Sequence, residues 1–493
     1  MSAYSIPFVV GASSAGTIIE WYDFYLYALL TPFLAPLFFP SDNPTTSLLA
    51  GFAVYGAGFA VRPFGAVVFG RIGDVIGRKY AFLLTVTIMG GATTIVGLLP
   101  TFAQIGLIAP AILVTLRLLQ GLALGGEYGG AAVYVAEHAP DRKRGLYTSW
   151  IQTTATIGMF MALGLILATR LGFGDDTYRA WGWRVPFLLS AILVAGALYI
   201  RMRLQETPLF QRLKAGGQTT RNTASWAKDS FSGNKVGIIL LVLVGMTAGQ
   251  AVVWYQGQFQ ALFFLTTILK LQFVPAYTIL LVAIALATPG FIIFGWLSDK
   301  IGRKVIILGG CAIAALTYVP IYQAMVASAN VTYDAAGKIS GANPNIPALI
   351  ALVWIQIVYV TMVYGPIAAF LVEYFPAKIR YTSLSIPYHL GNGEFGGWLP
   401  FIQTGIVAAT VAGAGFVPWF GVFDLRFLNA SGDPNGNIYS GLIYTITVAT
   451  ITAIVGFFWI PETKDRKIWD EVGGHESDAV PIAPGIVSEA TPI

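Results

Sequence analysis

Runs of about twenty apolar residues, the length that crosses the hydrocarbon core of a bilayer, recur along this chain. They fall near 8–38, 47–69, 80–100, 106–136, 146–169 and 184–204. After a polar stretch they resume near 236–265, 275–297, 304–328, 345–373, 381–412 and 438–460. These runs predict an all-α membrane protein of twelve transmembrane helices. The eleventh is interrupted by Pro387, Gly391, Gly393, Gly396, Gly397 and Pro400, a pattern tolerated where a helix lines a cavity. Composition agrees with lipid as the solvent: 56% of the 493 residues are hydrophobic and 11% charged, against about 25% charged in soluble domains.

The segment 205–235 carries Arg212, Lys214, Arg221, Lys228 and Lys235 and reads as a soluble linker. It separates an N-terminal six-helix bundle, 1–204, from a C-terminal one, 236–460. The tail 461–493 turns polar and then Pro- and Ala-rich, and is expected to be partly disordered. If the N-terminus is cytoplasmic, 21 of the 29 Lys and Arg lie on the inside and 6 on the outside, with Arg62 and Arg117 within spans. The positive-inside rule therefore predicts an inner (plasma) membrane protein with both termini cytoplasmic. The first apolar run has no basic flank or evident cleavage site before it, so no removable signal peptide is expected. The net charge of +5 reflects this orientation and calls for no nucleic-acid partner. The outside segments 329–344 and 413–437 are long for connectors, and nothing in the sequence explains them.

A loop motif is duplicated. Gly70-Arg-Ile-Gly-Asp74-Val-Ile-Gly77-Arg78-Lys79 and Gly295-Trp-Leu-Ser-Asp299-Lys-Ile-Gly302-Arg303-Lys304 both read G-x3-D-x2-G-R-K, and each follows the second span of its half. Two pseudo-symmetric halves follow from this. The glycines permit tight turns and close helix approach. The aspartate suits the N–H groups of a neighbouring helix N-terminus, where the dipole favours negative charge. Gly70, Asp74, Arg78, Asp299 and Arg303 are therefore expected to latch a cytoplasmic gate.

With this loop the sequence resembles the major facilitator superfamily, whose signature it is. The resemblance extends through Glu20-Trp-Tyr-Asp23-Phe, Arg62-Pro-Phe-Gly, Arg117-Leu-Leu-Gln120-Gly121, Gly126-Glu127-Tyr128, Glu137-His138-Ala-Pro140, Trp183-Arg184-Val-Pro186-Phe and Glu206-Thr-Pro208. In the second half it continues through Tyr364-Gly365-Pro366, Glu373-Tyr-Phe-Pro376 and Arg380-Tyr-Thr. Together these look like the metabolite:proton symporter branch. The resemblance implies the major facilitator fold and symport of a small polar metabolite with protons. The branch handles organic acids such as citrate, α-ketoglutarate and shikimate, and zwitterions such as proline and betaine. No cofactor is implied beyond the proton as coupling ion.

A charge inside the bilayer costs at least a few kcal/mol and needs a reason. Glu20 and Asp23 are three apart and share a helix face. Two close carboxylates in low dielectric cannot both ionise cheaply, so one would hold a proton, as coupling requires. Structural hydrogen bonding is the other role open to them. The resemblance carries a proton-transfer role to Arg117; a structural ion pair with an acid on another span is its alternative. Glu127, among glycines, suits either helix packing or proton coupling. Arg62 is expected to pair with an acid, with snorkelling as its alternative, and is also an expected contact for a carboxylate substrate. Tyr27, Gln120, Tyr128, Gln152, Trp254, Gln258, Gln356, Tyr359, His389 and Asn392 are the remaining expected substrate contacts. Trp254 and Gln258 share one face; His389 titrates near neutral pH but also fits a packing role.

No phosphate-binding loop, metal-ligand set or catalytic constellation is present in the sequence, so no enzyme, no ATP hydrolysis and no metal are expected. The chain is expected to act as a monomer in the lipid bilayer. The rival readings are an uncoupled facilitator or sugar-type porter, suggested by Pro461-Glu462-Thr463-Lys464, and a ligand-binding membrane sensor.

Overall fold

The computed structural model describes residues 6–75, 78–125, 132, 135–136, 139–203, 233–375, 380–412, 415–417 and 421–468. Most of the linker and the tail beyond 468 lie outside these residues. Twelve helical passes are present among the described residues. In the first half they are span one, Ile6–Phe38; span two, Pro44–Ala60 continued by Arg62–Val75; span three, Arg78–Leu98; span four, Ile108–Gly125; span five, Arg144–Phe173; and span six, Val185–Arg203. In the second half they are span seven, Lys235–Ile268; span eight, Phe273–Ile301; span nine, Arg303–Ala329; span ten, Ile346–Tyr374; span eleven, Arg380–Leu390 continued by Leu399–Ala412; and span twelve, Leu442–Trp459.

Nine helices among the described residues are long and apolar enough to cross a membrane. Spans one and eleven are more polar or more broken than that standard, and span three contributes a shorter apolar helix, Leu83–Leu98. Span eleven widens into a π-turn at Gly391–Gly397, where glycines lower the barrier to leaving α geometry. Span seven contains three such turns, Leu243–Thr247, Gln256–Gln260 and Phe264–Ile268. A single π-turn in a helix is already uncommon and frequently marks a functional site.

The expectation of a purely α-helical chain needs one amendment. The long connector after span nine holds an antiparallel hairpin, β1 Val331–Tyr333 with β2 Ile339–Ala342. The connector after span eleven holds a second, β3 Gly415–Val417 with β4 Gly421–Phe423. The two connectors are tied together: Asn435 Oδ1 accepts from the Ile339 N–H (2.8 Å), and Asn435 Nδ2 donates to the Gly337 carbonyl (3.0 Å). This accounts for their length structurally.

The halves meet through span five against span eight and span two against span eleven. The internal repeat exchanges two with eight and five with eleven, so this is one contact made twice. Both versions depend on absent side chains. A Cβ on Gly295 would collide with Ser149, and one on Gly397 with the Phe59 ring. Spans one and seven fill the middle with aromatic rings.

Candidate functional site

Trp21, Phe24 and Tyr25 on span one and Tyr55 and Phe59 on span two face Trp254, Tyr255 and Phe259 on span seven. Ring centroids lie 5.8 Å apart for Tyr25–Trp254, 5.5 Å for Tyr25–Phe259 and 5.5 Å for Phe59–Tyr255. All eight rings are buried. Two arginines enter this aromatic chamber. The Arg62 guanidinium lies 3.8 Å from the Phe59 centroid and 4.6 Å from that of Phe24. The Arg117 guanidinium lies 4.5 Å from the Tyr27 centroid and 4.9 Å from that of Phe24. Because both sit against Phe24, the two distances bound the separation of the guanidinium carbons at about 9.5 Å.

Among the described residues, no carboxylate bridges to Arg62 or to Arg117. Their charge is held by ring faces, whose quadrupole attracts a cation, and for Arg117 by Gln120, whose Oε1 accepts from Nη1 at 2.6 Å. Gln120 is fixed in turn by donating to Thr93 (2.8 Å). The Nε and Nη2 groups of both arginines have no hydrogen-bond partner among the described residues, and neither do the Tyr25 hydroxyl, Trp254 Nε1, both amide atoms of Gln258 and both ring nitrogens of His389. An orphaned buried donor costs about 1–3 kcal/mol, more when charged. So many beside one chamber describe a site prepared for acceptor oxygens.

Asp23 is buried on the other side of span one, where Ser190 of span six donates to its Oδ1, while Oδ2 has no partner among the described residues. It makes no ion pair with Arg117 among the described contacts. The side chain of Glu20, and Glu127 and Tyr128 altogether, lie outside the described residues. Tyr27 lies under Arg117 and donates to the Gly51 carbonyl (3.1 Å). Gln152 is buried on span five. Asn392 exchanges amide hydrogen bonds with Gln250 (3.4 Å), within the second half.

Gln356 and Tyr359 turn away from the chamber towards span nine. Gln356 Nε2 lies 3.4 Å from Met325 Sδ, and the Tyr359 hydroxyl accepts from Thr317 at 3.0 Å. The structure does not bring these two together with the arginines.

At the end carrying the repeated loops, Asp299 accepts from the N–H groups of Gly145 and Leu146, both at 2.8 Å. These are free donors in the first turn of span five, where the helix dipole favours an anion. Arg303 bonds Asp299 (2.7 Å) and Glu373 (3.0 Å), and Arg144 reaches the same Glu373 (3.0 Å) from the first half. Thr463 donates to Glu373 as well (2.8 Å). The surroundings of Gly70 and the side chains of Asp74 and Arg78 lie outside the described residues. Glu373, the hub of this network, was not among the expected gate residues. Its signal was available as a carboxylate closing the apolar run of span ten.

The arrangement of two helical halves around a central chamber finds its counterpart among known proteins. The model of the sugar (and other) transporter family matches residues 8–470. The chain belongs to this family. It is 34% identical to the alpha-ketoglutarate permease of Escherichia coli (strain K12) over 403 residues, covering 80% of this chain and 85% of that one. It is 31% identical to the citrate-proton symporter of Salmonella typhi, again over 403 residues, with 80% and 86% covered. The fold is that of the xylose transporter XylE from E. coli (TM-score 0.64, 15% identity, 93% of this chain and 98% of that chain covered). This family member is thus a multi-pass inner-membrane transporter of the major facilitator superfamily, on the metabolite:proton symporter branch, and not an enzyme. A small-molecule substrate and a lipid surround follow from that membership.

Proposed function

We propose that the protein is a proton symporter that carries a small carboxylate-bearing metabolite, an organic acid or a zwitterion, by alternating access. The observation that carries this reading is the pair Arg62 and Arg117, buried without a described carboxylate partner and with N–H groups still unbonded. A substrate carboxylate would supply the missing acceptors, and charge-assisted bonds of this kind are the strong ones. Gln258, His389 and Trp254 would contact its remaining polar groups. The naming of alpha-ketoglutarate and citrate among the relatives supports the same chemistry.

Asp23 is the proposed proton carrier. With one oxygen unpartnered in a dry helix interface, the ionised form is poorly supported, and a proton on Oδ2 removes the charge. Release would follow when water enters from the cytoplasm. Glu20 and Glu127 are further proposed proton-coupling groups, with Arg117 biasing the equilibrium. The ion network around Glu373 and Asp299 is the proposed cytoplasmic gate, with both termini on that side.

The test is substrate-driven proton movement in proteoliposomes. Addition of an oxo-dicarboxylate, a tricarboxylate or a betaine should alkalinise the outer medium for at least one of them, whereas a neutral sugar should not. Carboxylate flux with no proton movement would overturn coupling, and specific binding with no flux would favour a sensor. The sugar-type porter retains one supporting feature, since Glu462 caps span nine and Thr463 donates to Glu373. It leaves the two arginines without a function.

A further inference from the structure

The end opposite the repeated loops is closed by a different chemistry. Arg170, in the last turn of span five, is buried and makes a fork-shaped pair with Asp175 (2.8 and 2.9 Å). Gly174, at φ +75°, turns the chain so that Asp175 comes back towards Arg170. Held this way, the guanidinium lies 4.1 Å from the centroid of Phe273, the first residue of span eight in the other half, and 5.4 Å from that of Tyr178. Phe273 stacks on Tyr277 (3.8 Å, 14° between planes), and the Tyr277 hydroxyl donates to the Leu29 carbonyl of span one. Tyr178 closes the arrangement against Phe33 and Phe273.

Among the described residues, the links across the halves at this place are therefore cation-on-ring, ring-on-ring or hydroxyl-on-backbone, and the ion pair lies within the first half. A salt bridge between the halves would leave two charges to rehydrate on opening. A ring face surrenders a cation with far less desolvation at stake. We infer that Arg170 clamped on Phe273 is the latch of this end, and that Asp175 is a positioning residue that aims Arg170. The inference rests on the alternating-access reading but requires neither a substrate nor a proton.

The test uses the full chain with its buried Cys311 changed by Cys311→Ser and a reporter introduced by Gln258→Cys. An impermeant maleimide is applied from each side of the membrane in turn. Arg170→Ala should speed labelling from the Arg170 side alone by about threefold to thirtyfold, as one partly desolvated cation–π contact would. Phe273→Leu should do the same, and the double variant should exceed the larger single effect little, because both remove one contact. Asp175→Asn should act in the same direction and more weakly. Additive effects, or no side-selective rise in either single variant, would overturn the latch. If Arg170→Ala fails to accumulate, Phe273→Leu decides alone, since it leaves the Arg170–Asp175 pair intact. Because the readout is substrate-free, its failure is separable from failure of the symport reading.

Discussion

Glu373→Gln is the sharpest single perturbation of the network at the repeated-loop end. Glu373 is fully buried and accepts from Arg144 (3.0 Å), from two nitrogens of Arg303 (3.0 and 3.3 Å) and from Thr463 (2.8 Å). The glutamine amide keeps one acceptor and turns two hydrogens on groups that are themselves donors. Removing one partner of a buried ion pair costs about 3–5 kcal/mol. Here Arg303 keeps Asp299, and Arg144 keeps the carbonyls of Ala136 and Arg466. The lower end, about 3 kcal/mol, is therefore expected. Only the state closed at this end contains the network, so the loss falls on that state alone. At about 1.4 kcal/mol per tenfold, the equilibrium should move about a hundredfold towards opening at this end. Labelling of a chamber cysteine from the repeated-loop side should rise accordingly, and detergent-solubilised protein should melt earlier. Glu373→Asp should retain part of the closed state. Wild-type labelling and melting in Glu373→Gln would refute the assignment of Glu373 as hub.

Arg117→Gln should weaken carboxylate binding by about tenfold to a hundredfold, the worth of a charged hydrogen bond of about 1.5–3 kcal/mol, as read by ligand-induced stabilisation. Asp23→Asn should abolish uphill uptake while leaving downhill exchange and membrane content intact; proton-driven accumulation by that variant would remove Asp23 from the mechanism. Gly302→Ala should destabilise by about 2 kcal/mol, because Gly302 sits at φ +117° and its Cβ would meet the Glu462 carboxylate in backbone space that costs other residues about 1–3 kcal/mol; melting temperature checks it. On the exposed loop, hydrogen bonds from Arg426 hold the Asp424 carboxyl below its ordinary value. Its small stabilisation should be present above the ordinary aspartate range and fade as pH falls through the lowered folded value; because an exposed pair is worth little, Asp424→Asn should leave transport at pH 7 unchanged and show only as a flatter acid side of the melting profile.

The scaffold was legible because lipid imposes it. Helix length, the six-and-six division and the duplicated loop all follow from residues that can be read in order, and Asp299 lies at a helix N-terminus as dipole reasoning leads one to expect. Rotation about each helix axis was not legible. A span that is apolar all round has no wet face to orient it, so Gln356 and Tyr359 could be put on span ten but not on its span-nine side. An acidic partner was one of the roles open to Arg62, because a buried cation usually has one. Its actual neighbours, Phe24 and Phe59, come from two different spans and carry no charge to betray them. Glu373 was passed over for the opposite reason: it sits where a helix ends, and end-of-helix charges ordinarily face water.

The π-turn at Gln256–Gln260 makes span seven one residue longer there than a regular helix crossing the same depth would be. Deletion of a single residue from it would let the helix resume α geometry without breaking the chain. Because the widened turn already takes up the extra residue, the helix beyond would keep its facing, with Phe263 still against Phe52, which it meets at 4.7 Å. The supernumerary residue is thus a local device: the gene can lose three nucleotides here and still encode a continuous helix facing the same neighbours, with only the widened turn gone.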